Sequence, residues 1–277
     1  RDGHHRGAII SPDPAQHYKE ISMAFLQVNS LSLRIGTTQV CRDLNLQLSE
    51  NQRWGLLGKN GVGKTTLLHS LIGLLPAQSG EILIGNTPLK SIPRQELAVA
   101  VGILFQHGIN EVPATVMETV LLGRHPHVQS LLRDDPADVE IALEALHDLQ
   151  LGELAERQVD TLSGGERQRL ALAMLIAQTP KLFLLDEPSN HLDLAFQVEL
   201  LSILDRKLKQ YSASLIMATH DINLVARFCE YIVLLLGNGE FVQGPTRDVL
   251  TAKNLSSAFD CEIVTITAEG RTFFYPN

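Results

Sequence analysis

The chain has 277 residues, which at about 100 to 200 residues per domain allows one large domain or two modest ones and excludes a long repeat array. Its 23 Lys and Arg stand against 31 Asp and Glu, a formal net charge of -8, and no basic run interrupts that balance; nucleic acid is therefore a poor partner. No stretch reaches the roughly 20 apolar residues of a membrane-spanning helix, and three widely spaced cysteines, Cys41, Cys229 and Cys261, are too few for a disulfide framework and read as reduced structural thiols.

Residues 1–21 carry Arg, His, Asp and Pro without an apolar core, and are expected to form a disordered leader in which His4 and His5 are solvated rather than metal ligands. Phe25 to Ile35 alternates apolar and polar residues, as a half-buried strand does. Trp54 to Leu57, Val101 to Phe105, Leu182 to Leu185 and Leu215 to Ala218 are continuously apolar, which suits parallel strands covered on both faces. Between the second and third of these, helix signals dominate. Asp135 before Pro136 reads as a cap and first helical residue, and Val139, Leu143, Leu146 and Leu149 follow at helical spacing. Tyr231 to Leu236 and Gly239 to Val242 flank Gly237, Asn238 and Gly239, a hairpin signature, and Ile263 to Phe274 reads as two further edge strands. The class is α/β: one domain over residues 22–277, with a core of about 22–107 and 180–277, an inserted α-helical subdomain of about 108–179, and an antiparallel portion.

Gly58, Lys59, Asn60, Gly61, Val62, Gly63, Lys64 and Thr65 fit the pattern GxxxxGK[ST], placed after an apolar strand and before the helical run Thr66 to Leu75. Glycines at these positions let successive backbone N–H groups point inward, and the helix N-terminus adds partial positive charge. Lys64 is suited to the β- and γ-phosphates and the Thr65 hydroxyl to Mg²⁺, so the pattern predicts a nucleoside triphosphate site. The strand Leu182 to Leu185 runs into Asp186 and Glu187, and two adjacent acids after a buried strand are costly unless they serve a cation or a reaction. Asp186 fits a Mg²⁺ partner and Glu187 the base that activates water; helix capping is the plainer alternative. Gln106 and His220 follow two other apolar runs, so four strand ends converge where open parallel sheets bind ligands.

Leu162, Ser163, Gly164, Gly165, Glu166, Arg167, Gln168 and Arg169 precede the helical run Leu170 to Gln178. Ser163 and Glu166 form a capping box, but the two glycines exceed what a cap needs and suggest a second anion site. With this LSGGE segment, residues 24–262 resemble the nucleotide-binding subunits of ATP-binding cassette (ABC) transporters. The resemblance implies an ABC-type P-loop NTPase core with a mixed sheet, binding ATP and Mg²⁺. It carries the Walker A loop onto Gly58 to Thr66, the Q-loop onto Gln106 as a catalytic and Mg²⁺-contacting position, and the signature onto Ser163 to Glu166. The Walker B strand falls on Leu182 to Glu187, the D-loop on Ser189 to Asp193, and the switch histidine on His220. It further implies a head-to-tail dimer in which Ser163 and Gly165 complete the ATP site of a second copy. Where the family stacks an aromatic residue on adenine this chain has Ile35, leaving Tyr18, Phe25 or simple apolar contact to hold the base, with Trp54 assigned to the core.

Thr115 to His127, TVMETVLLGRHPH, reads either as an amphipathic helix ended by a turn or as a segment similar to the importers of iron siderophores, haem and vitamin B12. His125 and His127 supply two ligands without a third, too few for a metal site. The importer resemblance implies a subunit peripheral on the cytoplasmic face of the membrane. Its partners would be membrane permeases, docking near residues 106–124, and indirectly a substrate-binding protein. The competing reading is an ATPase of a cytosolic assembly system such as iron–sulfur cluster construction.

Overall fold

The computed structural model describes residues 25–106, 109, 113–127, 135–268 and 270–277. The expected leader, with His4, His5 and Tyr18, lies outside the described residues. The chain opens with β1 (Leu26–Ile35), β2 (Thr38–Leu48), β3 (Arg53–Leu57), α1 (Lys64–Leu71), β4 (Ser79–Ile84), β5 (Thr87–Pro88), α2 (Arg94–Ala100) and β6 (Val101–Leu104). Three helices follow, α3 (Val116–Leu121), α4 (Pro136–Asp148) and α5 (Gly164–Ala177). The chain then returns to β7 (Leu182–Asp186), α6 (Leu194–Tyr211), β8 (Ser214–Thr219), α7 (Ile222–Phe228), β9 (Tyr231–Gly237) and β10 (Glu240–Pro245), and closes with α8 (Thr246–Val249), α9 (Ala252–Phe259), β11 (Ile263–Ala268) and β12 (Arg271–Pro276).

The continuously apolar runs build one six-stranded sheet in the order β10-β9-β3-β8-β7-β6, parallel except for β10. Every residue of β7 and β8 is buried, because helices cover one face and α1 with a second sheet the other. That second sheet, β2-β1-β4-β5, is antiparallel, and the alternation in β1 turns Leu26, Val28, Leu31 and Leu33 onto the core. Leu67, Leu68 and Leu71 of α1 share an apolar cluster with residues of both sheets. Each such buried side chain contributes roughly 1.5–3 kcal/mol, so α1 is held firmly between the layers.

In the helical layer, Asp135 accepts from the Ala137 N–H at 3.0 Å and Pro136 opens α4, as the sequence predicts. The expected stripe on α4 differs at one point. Ala142, Ala145 and Leu146 face inward, while Leu143 is 50% exposed, because small alanines let α4 and α5 approach closely along that line. The hairpin around Gly237 to Gly239 forms as expected. Two expectations are corrected. β11 and β12 make a separate two-stranded sheet rather than edges of a larger one, pinned to α7 by reciprocal 2.9 Å bonds between the Asn223 amide and the Phe274 backbone. Cys41 and Cys229 are buried, but Cys261 is exposed beside the turn after α9 and has no place in the core.

Candidate nucleotide site

Strand register gathers the site. Leu57 of β3 pairs with Thr219 of β8, Asp186 of β7 with Ala218, and Leu104 of β6 with Leu185. Gly58, His220, Glu187 and Gln106 each lie just past these residues, at one carboxyl edge of the parallel sheet.

The loop from Gly58 to Gly63 is shaped by backbone that side chains would obstruct. A Cβ on Gly58, where φ is +152°, would stand 2.9 Å from the Leu235 carbonyl oxygen. Gly63, at φ +112°, is the N-cap of α1, and a Cβ there would meet Val40 at 2.6 Å. Lys64 folds back into the loop, its Nζ donating to the carbonyls of Gly58 at 2.8 Å and Lys59 at 3.3 Å. Burial lowers its pKa, partly countered by Glu187, whose carboxylate lies 3.8 Å away, and by Asp186. The Lys59 side chain pairs with Asp260 beyond α9.

Asp186 is 1% exposed, and neither carboxylate oxygen has a hydrogen-bond partner among the described residues. Burial pushes its carboxyl pKa up; the Thr65 hydroxyl counters that rise in part without reaching full hydrogen-bonding geometry. A buried, unpartnered carboxylate beside a threonine hydroxyl is what a hard cation requires, and Mg²⁺ is typically held by one or two protein oxygens together with substrate phosphates. The residues present fit that ion. No group of three His, Cys, Asp or Glu side chains able to hold a metal on their own occurs among the described residues.

Glu187 is 4% exposed and sits in left-handed backbone at φ 51°, held by its N–H to the Ala218 carbonyl at 2.9 Å. Its oxygens lie 3.1 and 3.0 Å from Nδ1 of His220, and the Thr219 hydroxyl donates to one of them at 3.3 Å. Glu187 and His220 thus form a hydrogen-bonded pair opening towards Lys64. Gln106 stands exposed at the end of β6, after the exposed ring of Phe105. Ile35 is 47% exposed where β1 turns into β2, opposite Thr38. Phe25 is partly buried against the apolar cluster that β1 shares with the other sheet, and Trp54 stacks on Tyr231 at 4.9 Å as a core residue.

Ser163 caps α5 in a complete capping box: the Glu166 N–H donates to the Ser163 hydroxyl at 3.3 Å, and the Ser163 N–H to the Glu166 carboxylate at 2.7 Å. That pairing holds the Glu166 carboxyl below its usual range. Gly164 has open space where a Cβ would point, and a Cβ on Gly165 would stand 3.1 Å from the His191 carbonyl oxygen, so the pair presents bare backbone. Asp193 caps α6 by accepting from the Phe196 N–H at 2.8 Å. Among the described residues, no hydrogen bond or ion pair joins Ser163 to Glu166 with the Lys64 cluster.

Three residues were not singled out from sequence. Thr219 steadies Glu187, and its position directly before His220 at a strand end was the available signal. Gln168 is buried and donates to the Pro188 carbonyl at 3.1 Å, tying α5 to the turn after Asp186. His69 of α1 meets the Phe105 ring edge-on at 5.4 Å, a contact without a local sequence signature.

A glycine loop between a buried strand and a helix, a lysine inside it, and a buried Asp–Glu pair at the end of β7, beyond the intervening β8, define a P-loop nucleoside triphosphatase. The ABC transporter family profile matches residues 41–190. The chain is 34% identical over 245 residues to the iron(3+)-hydroxamate import ATP-binding protein of Bacillus subtilis, covering 88% of this chain and 91% of that protein. It is 34% identical over 254 residues to the petrobactin import ATP-binding protein of Bacillus anthracis, covering 91% and 93%. In structure it matches a chain of an ABC transporter solved in an inward-facing conformation, with TM-score 0.78 and 30% identity over 92% of this chain and 98% of that one. The chain belongs to the ABC transporter family, as an ATP-hydrolysing subunit coupled to transport. Among its described residues no helix is long and apolar enough to cross a membrane.

Proposed function

We propose that this subunit hydrolyses ATP to drive uptake of an iron–siderophore complex through separate membrane permeases, which it meets as a peripheral protein on the cytoplasmic face near residues 106–124. The observation that carries this reading is that relatives matched over about nine tenths of both chains are named for import of ferric hydroxamate and petrobactin. Those names weigh against a cytosolic assembly ATPase. A substrate-binding protein would be an indirect partner.

The reaction follows from the geometry. Backbone N–H groups of Gly58 to Gly63 and the N-terminus of α1 receive the phosphates, and Lys64 leaves the Gly58 and Lys59 carbonyls for the γ-phosphate. Thr65 and Asp186, with Gln106 nearby, would hold Mg²⁺, which supplies charge neutralisation of the phosphates when bound. Glu187 accepts a proton from the water attacking the γ-phosphorus, and His220 keeps that carboxylate oriented through Nδ1 before turning to the departing phosphate. The bond to the bridging β–γ oxygen breaks, leaving ADP and phosphate. Because Ser163 to Glu166 lie apart from this cluster, they serve the ATP held by a second copy, in a head-to-tail dimer. Closure of that dimer on ATP is a rigid-body movement passed to the permeases.

A Glu187→Gln protein, tagged and loaded with Mg-ATP, tests the reading when recovered from native membranes. A polytopic membrane protein recovered in near 1:1 ratio is expected; recovery of soluble partners alone would favour the assembly ATPase.

A further inference from the structure

The turn at residues 122–127 takes no part in the nucleotide site, yet it contains the best-anchored arginine of the helical layer. Gly123 lies flush on α5, where a Cβ would stand 2.2 Å from the Met174 carbonyl oxygen. From that contact Arg124, 7% exposed, donates through Nη1 to the Ala177 carbonyl at 2.7 Å and the Thr179 hydroxyl at 3.1 Å. Its Nε donates to Asp138, in the first turn of α4, at 2.7 Å. Nε2 of His127 stands 2.8 Å from the Gln178 carbonyl. Ala177 and Gln178 end α5, where the last carbonyls lack partners within the helix and cationic groups are favoured. The Gln178 amide donates onward to the carbonyls of Ala98 and, at 3.1 Å, Val101, where α2 passes into β6. One hydrogen-bonded chain therefore joins the end of α5, the start of α4 and the start of β6.

We infer that Arg124 and His127 are positioning residues for the nucleotide reaction. They fix the C-terminal end of α5 against the start of α4, hold the residue, Gln178, whose amide ties that end to β6, and so set where Ser163 to Glu166, at the other end of the same helix, stand relative to the strand leading to Gln106. The 14 residues of α5 span about 21 Å, so a tilt of about 5° at the clamped end carries Ser163 by about 2 Å. Displacements of about 1 Å in a reacting assembly cost up to 10²-fold. The inference rests on the proposed role of Ser163 to Glu166 in a second copy's site.

The test uses the full chain with Glu187→Gln, expected to hold ATP with turnover slowed by about 10² or more, and adds His127→Phe, which keeps a ring but loses the donor. Arg124→Lys, which keeps the charge but loses the fork, is the second variant. Both are expected to bind a fluorescent ATP analogue within about twofold of the parent and to melt within about 2 °C of it, while the ATP concentration for half-maximal dimerisation rises about tenfold. His127→Gln, whose amide nitrogen can take the place of Nε2, is expected to restore dimerisation to within about twofold. Dimerisation at the parent's ATP concentration would overturn the inference, as would loss of nucleotide binding and melting temperature in step with it. If the Glu187→Gln parent itself does not dimerise on ATP, the two-chain reading fails and the inference with it.

Discussion

Glu187 carries a backbone conformation that a non-glycine residue adopts at a cost, and the structure over-determines it: the Ala218 carbonyl, the Thr219 hydroxyl and His220 all hold it. Strain held in place next to a phosphate loop supports the base proposed here. His220→Ala removes the partner at 3.0 Å, and ATPase assays should show turnover reduced by about 10-fold or more with nucleotide binding retained. Asp186→Asn keeps the shape but loses the charge that Mg²⁺ needs. Titrating Mg²⁺ against ATPase rate should show a requirement raised at least about tenfold; an unchanged requirement would remove Asp186 from the site. Thiol chemistry separates the three cysteines. Burial pushes the Cys41 thiol up to about 11 and Cys229 higher still, so at pH 8 a thiol reagent followed by mass spectrometry should label Cys261 alone in the native protein. Cys41 binds its proton more tightly folded than unfolded, so its contribution to stability is lost as pH rises from its ordinary value of 9.0 towards 11.

At the scale of elements, α5 and α6 carry the connections between the sheet and the helical layer. Lys207 of α6 is buried, with Nζ 2.6 Å from Glu144 and 2.8 Å from Asp148 of α4; burial lowers its pKa, but the two acids outweigh that and raise it. Lys207→Met removes one of two cations from Asp148, which keeps Arg206 at 2.6 Å, and should cost about 1–2 kcal/mol in chemical denaturation, whereas the surface pair Lys209–Asp205 should be worth less than about 1 kcal/mol. The buried strands, the cap at Asp135 and the capping box at Ser163 were legible because each rests on neighbours in sequence. What was not legible depends on distant partners. Leu143 faces out because of where α5 lies, and β11 and β12 stand apart because Asn223 pins them to α7. The run TVMETVLLGRHPH showed the opposite case. Its resemblance to importers was readable, but the reason for Gly123 and Arg124, a close approach to α5, exists only in the fold.

For the whole molecule, the account turns on a division: phosphate loop, Asp186, Glu187 and His220 at one sheet edge, and the Ser163 to Glu166 helix start elsewhere. The residue pattern pointed to the phosphate loop, Asp186 and Glu187, the family resemblance added the roles of His220 and of Ser163 to Glu166, and strand register explains why the first group meets. In the proposed dimer the second would serve another chain, a step that composition and spacing suggest but do not supply. The most direct measurement is the ATPase rate of purified Glu187→Gln beside its ATP affinity. The account predicts turnover lowered by about 10² or more with binding preserved. Near-normal turnover at preserved binding would contradict it, because hydrolysis would then proceed without the carboxylate around which the site is built.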